Sequence, residues 1–111
     1  MDNLDTYRQI IENALAEYAK IPYAYGDIQT ESVFDRGKDR YLLVNVGWDN
    51  DQRVHGCLIH IDIVNDKVWI QRDGTEEGIA GELERAGIPK ERMVLGFRSP
   101  ELRQYSEYAV A

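Results

Sequence analysis

Apolar residues recur at helical spacing over the first twenty positions of the chain. The residues Leu4, Tyr7, Ile11, Leu15 (or Ala14) and Tyr18 follow one another at intervals of three or four, and polar residues lie on the other side. This spacing predicts an amphipathic helix, because residues three and four apart lie on one helix face. The helix is expected to end at residues 21–22, since Pro22 disfavours helical backbone angles in the residue before it.

The middle of the chain alternates between apolar and polar residues in four stretches that are separated by turn signals. The predicted strands cover residues 28–35, 40–48, 52–64 and 67–72. Alternation with period two is typical of strands that bury one face. Short turns link the strands one after another, and this favours an antiparallel meander.

Two further helices and a short strand are predicted after the meander. Thr75 is the expected N-cap of a second helix, and the apolar segment 93–97 predicts a fifth strand or an extended connection. Ser99, followed by proline, predicts the start of a third helix, with Leu102, Tyr105 and Tyr108 facing inward. The sequence therefore predicts an α+β fold, an antiparallel sheet meander of four to five strands with the N-terminal, middle and C-terminal helices packed mainly on one face. At 111 residues the chain is expected to form one domain over residues 1–111.

Charge and cysteine content indicate a cytoplasmic protein that does not contact nucleic acid directly. Twenty acidic and thirteen basic residues give a formal charge of −7, and a surface of that sign is repelled by phosphate groups. The lone Cys57 fits a reducing compartment. The first residues are acidic where a signal peptide needs basic ones, and no apolar run is long enough to cross a membrane.

The residues with catalytic or metal-binding potential do not form a recognisable active site. Strict alternation along the third strand would place His55 and Cys57 on one face and His60 on the other, too few ligands for a closed zinc site. His60 and Asp62 would share a face, and a hydrolase that uses this pair stays an alternative. Such an enzyme needs a nucleophile beside the histidine, for which the candidates are Thr30, Ser32 and Thr75. We predict no catalytic, metal or cofactor site and no bound cofactor.

Aromatic residues indicate a candidate partner surface. Seven tyrosines and two tryptophans suit surfaces that are half apolar and half polar. Tyr23 and Tyr25 lie in a predicted turn, and Trp69 lies on the open side of the sheet if its strand neighbours face the helices. With Arg98 they form the predicted partner interface, ordinary core and edge packing being the alternative. An apolar open face is also a predicted surface for homodimerisation.

Several motifs in combination resemble the XisI family. They are VGWD at 46–49, RVHGCLIHID at 53–62, KVWIQ at 67–71, DGTEEGIA at 73–80, GIP at 87–89 and VLGFR at 94–98, with Ser99 and Pro100 after them. The resemblance covers essentially the whole chain. DGTEEGIA followed by GIP and LGFRSPE is specific in combination.

The resemblance implies a controlling factor for excision of the fdxN element, a DNA segment removed during heterocyst differentiation in cyanobacteria. A separate recombinase exchanges the strands, and XisI proteins are required together with a companion, XisH. The family has no established catalytic residues, so none are carried over to this chain. The implied function is an accessory factor, not an enzyme, that binds a XisH-like protein. XisH resembles a nuclease, and we expect its basic face to attract an acidic partner. The alternative is a small DNA-binding protein of the excisionase type.

Overall fold

A five-stranded sheet and three helices make up the part of the chain that the computed structural model describes, residues 3–21 and 26–111. The elements are α1 (Asn3–Ala19), β1 (Asp27–Asp35), β2 (Arg40–Asp49), β3 (Gln52–Val64), β4 (Lys67–Asp73), α2 (Ile79–Ala86), a 3₁₀ turn (Lys90–Arg92), β5 (Met93–Leu95) and α3 (Pro100–Arg103). The strands lie in the order β1-β2-β3-β4-β5. The first four form an antiparallel meander, and β5 pairs parallel to β4. The predicted α+β fold is confirmed.

One face of the sheet and the two longer helices enclose the core. β2 contributes Tyr41 and Leu43, and β4 contributes Val68 and Ile70, all fully buried. The helices add their apolar stripes to the same cluster, namely Tyr7, Ile11 and Leu15 from α1 and Ile79, Ala80 and Leu83 from α2. Because Val68 and Ile70 face this core, Trp69 between them lies on the other face of the sheet, as predicted. No helix in the described ranges is long and apolar enough to cross a membrane.

A β-bulge in β3 overturns the predicted placement of His60. Leu43 pairs with Ile59, but the next residue of β2 pairs with Cys57, so Leu58 has no partner position in β2. The extra residue shifts the alternation of side chains by one. His55, Cys57 and His60 therefore lie on the same face, and the prediction that His60 points away from the other two is wrong.

The second helix begins at Ile79, three residues later than predicted, because Asp73 organises the loop before it. The Asp73 carboxylate accepts hydrogen bonds from the backbone N–H of Ile79 at 2.8 Å and from the backbone N–H of Thr75 at 3.0 Å. The Thr75 hydroxyl donates to the same carboxylate at 2.5 Å and accepts from the N–H of Gly78 at 3.1 Å. Thr75 is thus a loop residue and not the N-cap, and the aspartate satisfies the first free N–H of the helix.

The C-terminal segment lies against the β5 edge of the sheet. The helix α3 has four residues, too few to bury a stripe, and Leu102 and Tyr105 are 55% and 82% exposed. The prediction that these two side chains face inward is wrong, whereas Tyr108 is half-buried against the core as predicted. Ala109 forms a parallel bridge to Val94, and its N–H donates to the carbonyl of Met93 at 2.9 Å.

Candidate interaction surface

The side of β1, β2 and β3 that faces away from α1 and α2 is rich in apolar side chains. We call this surface the open face and define it by Val33, Leu42, Val44, Val46, Trp48 and Cys57, which pairing across the strands places on one side. Val33 and Trp48 are each 49% exposed, and the other four are half-buried. A contiguous apolar surface of this kind on a small domain indicates a contact site.

Arginine side chains lie among these apolar residues although the whole chain is acidic. The guanidinium of Arg53 stacks over the ring of Trp48, with its Cζ 5.2 Å from the ring centroid. Arg72 donates from Nε to the carbonyl of Cys57 at 2.7 Å. Nε of Arg40 lies 3.5 Å from Oδ1 of Asp62. Each of these three arginines is therefore in contact with another group of the protein. Tryptophan and arginine are also the residue types that contribute most to binding energy at protein interfaces.

Asp62 is buried at the edge of the open face and is satisfied by three neighbours. His60 Nε2 lies 2.8 Å from Asp62 Oδ1, and Gln71 donates from Nε2 to Oδ2 at 3.3 Å. Arg40 supplies the opposite charge, and Asp62 is 6% exposed. A buried carboxylate needs such partners to offset the loss of water. The predicted pairing of His60 with Asp62 is thus present.

The candidate nucleophiles lie on the other face of the sheet from this pair. Thr30 donates its hydroxyl hydrogen bond to Asn45 at 3.0 Å, and Ser32 pairs with the core residue Leu43. Thr75 is bound to the Asp73 carboxylate in the loop before α2. A histidine–aspartate pair activates a hydroxyl only when that hydroxyl lies beside the histidine. The structure does not bring any of these three hydroxyls to His60.

The two histidines and Cys57 share the open face without forming a metal site. Within residues 3–21 and 26–111, no group of three or more His, Cys, Asp or Glu side chains is arranged to hold a metal ion. The Cys57 thiol donates to the carbonyl of Ile59 at 3.2 Å, and burial raises the pKa of this thiol. The thiol is thus kept in its neutral form, which is the less nucleophilic one.

Two of the four predicted interface residues meet at one corner of the sheet through Arg103. The Arg103 guanidinium lies 5.1 Å from the ring centroid of Trp69, and its Nε donates to the carbonyl of Arg98 at 3.0 Å. Arg98 itself is exposed and lies over the ring of Phe97 at 5.8 Å. Tyr23 and Tyr25 lie outside the described residues.

Sequence reasoning missed the covering role of Arg103. The side chain leaves a one-turn helix, and no local pattern in the sequence connects it to a tryptophan more than thirty positions earlier. Trp69 is half-buried under this arginine. The exposed apolar residues on this side of the sheet therefore belong to β1, β2 and β3 and not to β4.

The fold and this surface define a small α+β protein whose sheet is covered by two helices on one side and left open over three strands on the other. The chain belongs to the XisI family, because the family model described as XisI protein matches residues 1–110. No protein of curated function matches the chain.

Two solved structures from Anabaena variabilis share the fold over nearly the whole chain. One is a XisI-like protein with a TM-score of 0.89 and 35% sequence identity, which covers 97% of this chain and 99% of its own. The other is the fdxN element excision controlling factor XisI, with a TM-score of 0.83 and 33% identity over 99% of this chain and 100% of its own. At these identities the likeness extends to the family and not to the fold alone.

Proposed function

We propose that this protein is a cytoplasmic accessory factor that controls excision of an fdxN-type DNA element during heterocyst differentiation. It acts by binding a XisH-like protein and does not catalyse a reaction itself. Membership of the XisI family and the likeness to an excision controlling factor support a role in the control of DNA excision. The observation that carries the binding role is the open face, with its exposed apolar side chains and its stacked Trp48 and Arg53.

The composition of the open face favours a protein partner. Val33 and Trp48 each leave about half of their surface to water, and burial of apolar area is the main driving force of association. The Arg53 guanidinium stacks on the Trp48 ring, and this contact lowers the side-chain entropy that is lost when a partner covers the ring. Leu42, Val44 and Val46 form an apolar row along β2, and their neighbours on the same face are Val33, Glu31 and Gln29 of β1 and His60, Cys57 and His55 of β3.

Co-purification with a XisH-like protein tests this function directly. The two chains are co-expressed with a tag on the XisH-like protein, and the complex is measured by size-exclusion chromatography with light scattering. We expect a stable complex with the wild type and a loss of it with Trp48→Ala, because truncation of an interface tryptophan that acts as a hot spot commonly weakens binding by a factor of about thirty or more.

The matched control is Tyr105→Ala, which removes an aromatic side chain that is 82% exposed and is not among the residues that define the open face. This variant is expected to co-purify as the wild type does. Absence of a complex between two folded wild-type proteins would contradict the proposed function. Equal losses with Trp48→Ala and Tyr105→Ala would contradict the use of the open face.

One observation favours a second candidate function, direct DNA binding in the manner of an excisionase. Arg40, Arg53 and Arg72 lie on one side of the sheet, and phosphate contact needs such cations. Each of them is engaged by a group of the protein, and valine and leucine side chains separate them, so we favour the protein partner. Titration of a fluorescent duplex that carries an element end, at low salt, distinguishes the two functions, and binding that is lost with Arg72→Gln would favour the DNA-binding candidate.

A further inference from the structure

A cleft lies on the helix side of the sheet, between the C-terminal end of α1 and the loop that precedes α2. Its volume is about 760 Å³, within the range of roughly 300–1,000 Å³ that is typical of ligand sites in proteins. Tyr18 of α1 and Leu58 at the bulge of β3 form its apolar floor, and the exposed Ile21, which follows α1, also lines it. This cleft is separated from the open face by the sheet itself.

The rim of the cleft is acidic. Glu17, Glu76, Glu77 and Glu82 line it, and no lysine or arginine is among its lining residues in the described ranges. Glu17 is paired with Lys20 at 3.1 Å and Glu82 with Arg85 at 2.6 Å. Glu76 and Glu77 make no hydrogen bond or ion pair within the described part of the chain. Two carboxylates are therefore available to an incoming cation at the mouth of an apolar cleft.

The pKa of the Tyr18 phenol is consistent with a negative electrostatic potential inside the cleft. Burial raises the pKa of the Tyr18 phenol, and the nearby Thr75 side chain partly offsets this by lowering it. The carboxylates of Glu82 and Glu77 raise that pKa further, because a phenolate beside them would be repelled. The floor thus combines an apolar surface with a field that favours positive charge.

We infer that this cleft binds a segment of a partner protein in which a lysine or arginine lies next to an apolar residue. The apolar side chain would occupy the floor at Tyr18 and Leu58, and the cation would reach Glu76 and Glu77 at the rim. A small polyamine would match the rim but leave the floor uncovered, which favours a protein segment as the occupant. The inference rests on the proposed function, since it gives the protein-binding factor a second contact on the helix side of the sheet.

A peptide probe tests the cleft without the natural partner. The probe is a fluorescein-labelled peptide in which lysine and leucine alternate, and binding to the full chain is followed by fluorescence anisotropy. In the double variant Glu76→Gln/Glu77→Gln we expect the dissociation constant to rise about fivefold or more, because two exposed charge contacts are lost. The control Glu91→Gln/Glu101→Gln removes the same charge from exposed positions away from the cleft and is expected to bind as the wild type does.

Three outcomes would overturn the inference. They are equal weakening by the two double variants, equal affinity for a peptide in which glutamate replaces lysine, and displacement of the probe by spermine at concentrations no higher than those of the unlabelled peptide. Amide chemical-shift mapping gives an independent location, with the largest changes expected at Gly74, Thr75 and Gly78 and none expected at Val44 or Val46.

The proposed binding at the cleft and the proposed function can be refuted independently of each other. A XisH-like protein that co-purifies equally with wild type and with Glu76→Gln/Glu77→Gln would remove the cleft from the interface and leave the accessory role in place. Specific peptide binding in the cleft without any complex with a XisH-like protein would retain the acidic cleft as a binding site and contradict the proposed partner.

Discussion

The guanidinium group of Arg8 forms two parallel hydrogen bonds with the carboxylate of Asp39. Nε lies 2.8 Å from Oδ1 and Nη2 lies 3.1 Å from Oδ2. The phenol of the buried Tyr41 donates to the same carboxylate at 3.0 Å. This pair joins α1 to the turn between β1 and β2, and it is well shielded, since the Arg8 and Asp39 side chains are 18% and 19% exposed.

Removal of the Asp39 charge is expected to destabilise the fold. Asp39→Asn should lower the free energy of unfolding by about 1–3 kcal/mol, because it weakens two charge-assisted hydrogen bonds in a partly buried site. Asparagine tolerates the positive φ of 55° at this position, so the backbone is not the cause. Urea denaturation measures the change. As a control, Glu12→Gln breaks the more exposed pair with Arg36 and should cost less, and an equal cost would show that burial of the Arg8 pair has no effect.

The same pair predicts a loss of stability in acid. Hydrogen bonding from Arg8 lowers the pKa of Asp39 below its ordinary value of 3.8. A carboxylate with a lowered pKa in the folded state contributes stability above its unfolded pKa and loses that contribution as the pH falls through its folded pKa. The difference in unfolding free energy between wild type and Asp39→Asn should therefore be constant near neutral pH and shrink below a pH of about 4. A difference that is unchanged at low pH would contradict this assignment.

Asp73 is expected to be the residue that fixes the start of α2. Asp73→Ala removes the acceptor for the N–H groups of Ile79 and Thr75 and should destabilise the protein by about 1–2 kcal/mol, as loss of an N-terminal cap does. Thermal unfolding followed by circular dichroism measures the change. Glu76→Ala alters a neighbouring acid that makes no such bond and should have little effect. Similar melting temperatures for the two variants would refute the capping role.

Two glycines of the paired strands β2 and β3 are expected to differ in their tolerance of alanine. At Gly47 a Cβ atom would lie 2.0 Å from the carbonyl oxygen of Asp27 and 2.7 Å from Cα of Ile28, so β1 would have to move. Gly47→Ala should cost about 2 kcal/mol or more. At Gly56 nothing lies within 4 Å of the added atom, and Gly56→Ala should leave stability unchanged or raise it by up to about 1 kcal/mol. Parallel urea titrations compare the two, and a costly Gly56→Ala would contradict the packing described here.

The strands were predictable because their apolar alternation and turn residues agree. The third strand was predicted at 52–64 and is observed at Gln52–Val64, and the second was predicted one residue short of Arg40–Asp49. The bulge at Leu58 was not predictable, since an apolar residue at a bulge resembles any other apolar strand residue. That single residue moved His60 to the face of His55 and Cys57.

The start of the second helix shows why a local motif can mislead. Thr75 followed by two glutamates has the composition of a helix start. The carboxylate of Asp73 instead reaches across six positions to the N–H of Ile79, and this reach depends on how the loop folds over the sheet. The same loop also forms one wall of the acidic cleft. Its glutamates were visible in the sequence, but their position opposite Tyr18 and Leu58 depends on tertiary packing.

The two edges of the sheet are not equivalent, and this limits how copies of the protein can assemble. The β5 edge is occupied by the chain itself, through the bridge between Val94 and Ala109. Within the described residues, β1 is the edge strand without a neighbour on its outer side, and such a strand offers free N–H and C=O groups for pairing. Two copies that pair through β1 would use the free edge of each, so the continuous sheet would stop at two molecules and would not grow into a fibre.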